Sequence, residues 1–217
     1  MKKVFALHTG PVLVEVMRRL FDELLPSVRL VNIVDDGLLN DVRSAGGVSP
    51  QLARRLVSYG LTAEAAGADA ILNCCSSVGE AAETLASLVS VPVVRIDRAM
   101  ADAAVNCGTR IAVLATLETT LDPTERLIQR RAAELGRSVV TTRFLANSAF
   151  DALLRGDTAH HDEILRSELD RACSGNDVVV LAQGSMARLL DGVPSGPVPV
   201  LSSPRSGVQS VREALRL

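Results

Sequence analysis

Lysine is almost absent from this chain. Of its 217 residues, 23 are Lys or Arg, and the lysines are Lys2 and Lys3 alone. Without a lysine in the body of the sequence, no side chain can form a Schiff base with pyridoxal phosphate, which excludes that cofactor's chemistry. Tryptophan is missing, tyrosine occurs once, and aromatics make up 2% of the chain. The core must then be built from Val, Leu, Ile and Ala, which suits parallel sheets covered by alanine-rich helices. The same shortage removes aromatic stacking platforms for single-stranded nucleic acid. A formal net charge of -2 supplies no concentrated basic face, so nucleic acid is not an expected partner. No apolar stretch approaches the roughly 18 residues of a membrane span, so no membrane partner is expected either. The opening "MKKVFALHTGP" has the lysines of a signal peptide, but its apolar run stops at His8 and no small-residue cleavage site follows. Four cysteines (74, 75, 107 and 173) do not make a disulfide framework. Cys-x-x-Cys is absent and other metal-binding side chains are scattered, so no metal site is expected. These absences together describe a cytoplasmic protein with reduced thiols.

What is present is a regular alternation of apolar runs with longer amphipathic segments. Strand candidates are Lys3–His8, Arg29–Val34, Ala70–Cys74, Pro92–Ile96, Arg110–Ala115, Ser138–Phe144, Asp177–Ala182 and Val198–Leu201. Helical patterns cover Val12–Leu24, Pro50–Ala66, Gly79–Val89, Arg98–Cys107, Pro123–Leu135, His161–Cys173 and Arg205–Leu217. Strand, helix, strand with short turns implies an α/β protein with parallel sheets and right-handed crossovers.

The two halves also echo each other. "KKVFALHTG" aligns with "TRIAVLATL", placing Thr9 opposite Thr116. "DAILNCCSS" aligns with "DVVVLAQGS", placing Cys75 opposite Gln183 and Ser77 opposite Ser185. "VPVVRI" aligns with "VPVLSS", placing Pro92 opposite Pro199, and the intervening spacings agree to within one residue. Three matches in register predict two pseudo-symmetric α/β lobes, one of residues 1–97 plus 204–217 and the other of residues 98–203. Ligands of open parallel sheets sit beyond the carboxyl ends of the strands. Those ends carry His8, Thr9, Cys75, Ser76, Ser77, Thr116, Gln183, Gly184 and Ser185. Facing lobes would bring them to one cleft, which is the expected active site.

Through these motifs the sequence resembles the aspartate/glutamate/hydantoin racemase superfamily. The first motif, an apolar strand followed by Cys and Asn/Ser-Thr/Ser, reads "ILNCCSS" here, with Cys75 as the motif cysteine. The second, Gly-Cys-(Gly/Ala/Thr), reads "LAQGSM", with Gln183 in the cysteine position. "VPVLSSPRSG" resembles the returning strand and helix of the same proteins. The resemblance implies two lobes with a catalytic cysteine from each, no cofactor, a small carboxylate substrate whose α-carbon lies between the thiols, and a homodimer.

The individual residues carry alternative roles. Cys75 is either an inert core thiol or a base or nucleophile. Its place at a strand-to-helix turn, with Gly79 just after it, predicts a thiol pKa lowered from its usual value near 8.5. Cys74 should point to the other side of the strand, into packing. Ser76, Ser77, Ser185, Thr116, Thr119 and Thr120 are turn and cap residues or, with Thr9, Asn73 and Gly184, a cradle for a substrate carboxylate. His8 is either a satisfied strand-end histidine or the second proton carrier. Arg205 is a candidate bidentate anchor for a carboxylate. Asp162 reads as the cap of the helix that follows His160 and His161, and Asp35 and Asp36 as turn residues.

Glutamine cannot return a proton at neutral pH, so the chain keeps one half of a two-thiol mechanism; Gln183 is assigned to hydrogen bonding of a developing enolate. The expected function is that of a cofactor-independent isomerase of amino-acid metabolism, racemase-like, acting at the carbon next to the carboxylate of a small acid through Cys75. The alternatives are a single-cysteine decarboxylase, a cis-trans isomerase of a small dicarboxylate, and a non-catalytic small-acid binding protein.

Overall fold

The computed structural model describes residues 1–190 and 196–217. The chain divides into two compact units, residues 1–99 with 204–217 and residues 100–203.

In the first unit the strands are β1 (Lys2–His8), β2 (Val28–Val34), β3 (Ala70–Asn73) and β4 (Val93–Arg95). They form one parallel sheet in the order β2-β1-β3-β4. Its helices are α1 (Val14–Leu24), α2 (Leu38–Ser44), α3 (Pro50–Ala65) and α4 (Gly79–Ala86), with α9 (Ser203–Ala214) lying almost wholly in this unit. Alternation along the strands divides the core in two. Val4, Ala6, Ala70, Leu72 and Cys74 pack with Met17 and Phe21 of α1 and with Val208 and Val211 of α9. Phe5, Leu7 and Ile71 pack on the opposite face with Leu38, Leu56 and Leu85 from α2, α3 and α4.

The second unit repeats this plan. Strands β5 (Arg110–Ala115), β6 (Val140–Leu145), β7 (Val178–Leu181) and β8 (Val200–Ser202) form a parallel sheet in the order β6-β5-β7-β8. Adding four to each strand number of the first sheet gives the second, the topological form of the repeat in the sequence. One face packs against α5 (Arg98–Cys107) and α6 (Glu118–Glu134), and the other against α7 (Asn147–Leu154) and α8 (Thr158–Cys173). Among the described residues no helix is long and apolar enough to cross a membrane.

All eight strands lie where the apolar runs place them, with ends differing by a residue or two. The helices depart more. α2 and α7 are short and are not among the helical patterns read from the sequence. α6 begins at Glu118, so Pro123 lies inside the helix and does not start it. The buried Thr120, Leu121 and Thr124 fix its early turns by packing, which offsets the one hydrogen bond that proline cannot donate. α8 begins at Thr158, and its cap is Asp157, which accepts from the His160 amide at 3.1 Å. Asp162 therefore lies within the helix and pairs with Arg188.

Candidate active site

The turn after β3 positions Cys75. β3 ends at Asn73, a short 3₁₀ turn covers Ser76–Val78, and α4 begins at Gly79. Cys74 continues the strand alternation into the cluster beneath α1 and α9, whereas Cys75 packs against the cluster beneath α3 and α4. From Ala70 to Gly79, Cys75 is the one residue that is not buried. Its sulfur meets the hydroxyls of Thr9 and Ser77 and the backbone N–H groups of Ser77 and Val78.

These donors do not activate the thiol as the sequence suggests. Burial pushes the Cys75 thiol up, and the hydrogen bonds from Thr9, Ser77 and Val78 offset that only in part. The expected lowered pKa is thus corrected: desolvation by the packed surroundings outweighs the helix N-terminus, and the resting group is a thiol. Cys74 is pushed up strongly, by burial first and then by its neighbour Cys75.

Several candidate ligands turn inward. Asn73 is fully buried and its Nδ2 donates to the Cys75 carbonyl at 2.9 Å, so it holds the turn from behind and presents nothing at the surface. Ser76, Ser77 and Thr9 are each buried, the last two against the Cys75 sulfur. His8 is also buried, and its Nε2 lies 2.9 Å from Asn32 Oδ1. Asn32 Oδ1 can only accept, which makes Nε2 the protonated nitrogen and leaves Nδ1 with a free, buried lone pair. Burial lowers the His8 pKa, against the Asn32 hydrogen bond, so the neutral imidazole is favoured. By strand alternation His8 shares the face of Val4 and Ala6. Cys75 packs on the other face.

The second unit makes the corresponding turn with a different side chain. The Gln183 oxygen accepts from the Thr116 amide at 2.7 Å and from the Thr116 hydroxyl at 2.9 Å. Thr9 and Cys75 form the matching pair in the first unit. With its oxygen engaged, Gln183 has its amide N–H2 group to offer a ligand. Gln183, Gly184 and Ser185 are partly exposed and lead into a 3₁₀ helix over Gly184–Leu190. Thr119 and Thr120 lie in the first turn of α6, where Thr120 is buried and the Thr119 hydroxyl has no partner among the described residues.

Arg205 belongs elsewhere. Its Nη1 donates to Glu23 Oε1 at 2.9 Å, tying α9 to the last turn of α1. That end of α1 lies on the order of 14 Å from the helix start beside the His8–Gly10 turn. Arg205 is thus held in an exposed ion pair with Glu23. Asp35 does occupy a turn, accepting from the Gly37 amide at 3.2 Å, and it also pairs with Arg55 and Tyr59. No group of three or more His, Cys, Asp or Glu side chains among the described residues is placed to hold a metal ion.

Sequence reading missed one feature of this region, the buried charges Arg95 and Asp97 behind α4. An arginine inside the apolar run "VPVVRI" is the signal that could have found them.

The Asp/Glu/Hydantoin racemase family model matches residues 14–211. The chain belongs to that family. Among curated protein sequences no relative matches. Solved structures of racemases share the fold. Picrophilus torridus aspartate racemase is 13% identical, with a TM-score of 0.73 over 100% of this chain and 95% of that one. Thermus thermophilus glutamate racemase, solved in complex with Beta-chloro-D-alanine, is 18% identical, with a TM-score of 0.74 over 99% and 80%. Klebsiella pneumoniae allantoin racemase is 16% identical, with a TM-score of 0.70 over 100% and 88%.

Proposed function

We propose that this racemase-family protein is a cofactor-independent isomerase acting at the carbon next to the carboxylate of a small acid, with Cys75 as its one reacting thiol. The observation that carries the reading is the placement of Cys75, the sole solvent-reaching residue of its segment, with four hydrogen-bond donors around its sulfur. Those donors stabilise a thiolate once it forms, and a thiolate formed against desolvation is a strong base. Water takes the resting thiol's proton, the thiolate takes the α-proton and leaves an enolate, planar at the α-carbon, and water returns a proton on the other face. A small amino acid or its cyclic ureide is the substrate class, and a homodimer the assembly, to be tested by light scattering.

A second reading is favoured by the direction of the Cys75 shift. A thiol that holds its proton at rest is placed to act first as an acid. In a decarboxylation of a substituted malonate, carbon dioxide leaves with cleavage of the C–C bond, and the resulting enolate takes the sulfur's proton at carbon. Water then restores the proton to the thiolate.

One experiment separates these readings. Free amino acids, hydantoins and substituted malonates are incubated with the parent protein and with Cys75→Ser, and optical rotation and carbon dioxide release are followed together. Isomerisation changes rotation without gas, decarboxylation changes both, and Cys75→Ser does neither. Ligand binding unaffected by Cys75→Ser, with no turnover of any compound by the parent, would overturn both in favour of a binding protein.

A further inference from the structure

Arg95 is a charged side chain in a place built for apolar ones. It ends β4, within a run of valines, and its side chain is 4% exposed. Its Nε and Nη2 donate to the two oxygens of Asp97, at 3.0 and 2.9 Å, and the Asp97 side chain is fully buried. The third branch of the fork, Nη1, donates to Glu83 Oε1 at 2.7 Å. Glu83 lies on α4, one turn after Gly79 and on the same helix face. The guanidinium also rests directly on Gly79: a Cβ there would lie 2.4 Å from Arg95 Cζ and Nη2 and 2.7 Å from Nε. A glycine is needed at this first residue of α4 because the cation occupies the space of any side chain.

The same strand end also holds the other side of the cysteine turn. Arg95 is in register with Asn73, and the next residue, Ile96, donates its amide to the Asn73 carbonyl at 3.0 Å. Asn73 in turn donates to the Cys75 carbonyl. One short strand therefore anchors the chain before Cys75 through Asn73 and the helix after it through Gly79 and Glu83. Between these anchors lie Ser77 and Val78; the Val78 amide donates to the Cys75 carbonyl at 3.3 Å, and both N–H groups lie beside the Cys75 sulfur.

We propose that Arg95 is a positioning residue for Cys75: clamped by Asp97, it seats the N-terminus of α4 through Gly79 and Glu83 and so holds the Ser77–Val78 turn, with its amides, beside the sulfur. Arg95 touches no substrate in this scheme and acts through the turn. The chemistry is that of buried bidentate pairs, in which the planar fork fixes direction as well as charge. The catalytic meaning rests on the reading of Cys75 as the reacting group, but the measurement needs no substrate and stands apart from any failure to find turnover.

The obvious variant, Arg95→Met, leaves Asp97 buried without a cation and endangers folding. The deciding variant is Glu83→Ala, which removes the helix leg of the clamp without burying a charge; Gly79→Ala, which forces α4 off the guanidinium, supports it. Iodoacetamide labelling of Cys75 is followed by tandem mass spectrometry from neutral to alkaline pH, with exposed Cys107 as the internal control. Loss of the amide donors raises the thiol pKa. The expected result is a Cys75 midpoint moved up by about one pH unit, or about tenfold slower labelling at a fixed pH below both midpoints, with Cys107 unchanged. A merely structural role would lower the melting temperature and leave the Cys75 profile in place. A folded Glu83→Ala protein with the parent's Cys75 profile overturns the proposal, whether or not Gly79→Ala folds.

Discussion

Gln183 holds Thr116 by two hydrogen bonds to one oxygen, at 2.7 Å from the backbone amide and 2.9 Å from the hydroxyl. Thr9 makes the equivalent contact with the sulfur of Cys75 in the other unit. The two turns are therefore built alike, and they differ in the atom that the threonine is given to hold. Replacing Gln183 by Cys should place a thiol beside Thr116 in the way that Cys75 sits beside Thr9. Gln183 is partly exposed, so the Gln183→Cys variant should gain a second thiol that iodoacetamide labels in the folded protein. No labelling of the new thiol in the folded variant would show that the two turns are not built alike.

Adjacent cysteines on opposite faces of a sheet should separate function from stability. Cys75→Ser should remove turnover by at least about a hundredfold, the range of a lost acid-base group, with little change in melting temperature. Cys74→Ala should do the reverse, costing about 1–2 kcal/mol from its place in the α1/α9 cluster. Chemical denaturation beside turnover assays on both proteins checks this. A matched loss of turnover in the two folded variants would count against the assignment.

The raised thiols set the alkaline behaviour. Cys74 and Cys75 both hold their protons more tightly in the folded chain than a free thiol does. The unfolded chain therefore releases protons first, and the stability they contribute, fully present below the free-thiol range near pH 8.5, declines as pH rises through it. Denaturant midpoints measured on either side of that range should fall, and Cys74→Ala should flatten the decline. The Cys75 alkylation midpoint should lie above the free-thiol range near pH 8.5. A midpoint below it would mean that the helix N-terminus wins over desolvation after all.

His8 has the opposite dependence. Its folded pKa is depressed, so the stability it contributes is present above its unfolded value of about 6.5 and is lost as pH falls through the lower folded value. Nitrogen-15 correlation spectra at neutral pH should show the Nε2–H tautomer, set by the Asn32 oxygen. Asn32→Ala should abolish that preference. An Nδ1–H tautomer in the parent would contradict the hydrogen-bond assignment.

The architecture was legible because its determinants are local. Short apolar runs mark the eight strands of the described residues, and the repeated "KKVFALHTG"/"TRIAVLATL" pattern marks the two sheets of like order. The opposite facing of Cys74 and Cys75 follows from strand alternation alone, as does the placing of His8 with Val4 and Ala6. Other features depend on groups distant in sequence, and only tertiary structure decided them. The direction of the Cys75 shift is a contest between desolvation by α3 and α4 and donors from Thr9, Ser77 and Val78, and a motif cannot weigh that sum. Arg205 found Glu23 in α1, 182 positions away in the chain. Pro123 was overruled as a helix start by the burial of Thr120 and Leu121. Arg95 gained its meaning from Asp97, Glu83 and the missing side chain of Gly79, a meeting that exists only once β4 and α4 are packed. Periodicity is a property of the chain, whereas the charge state of a buried group belongs to everything folded around it.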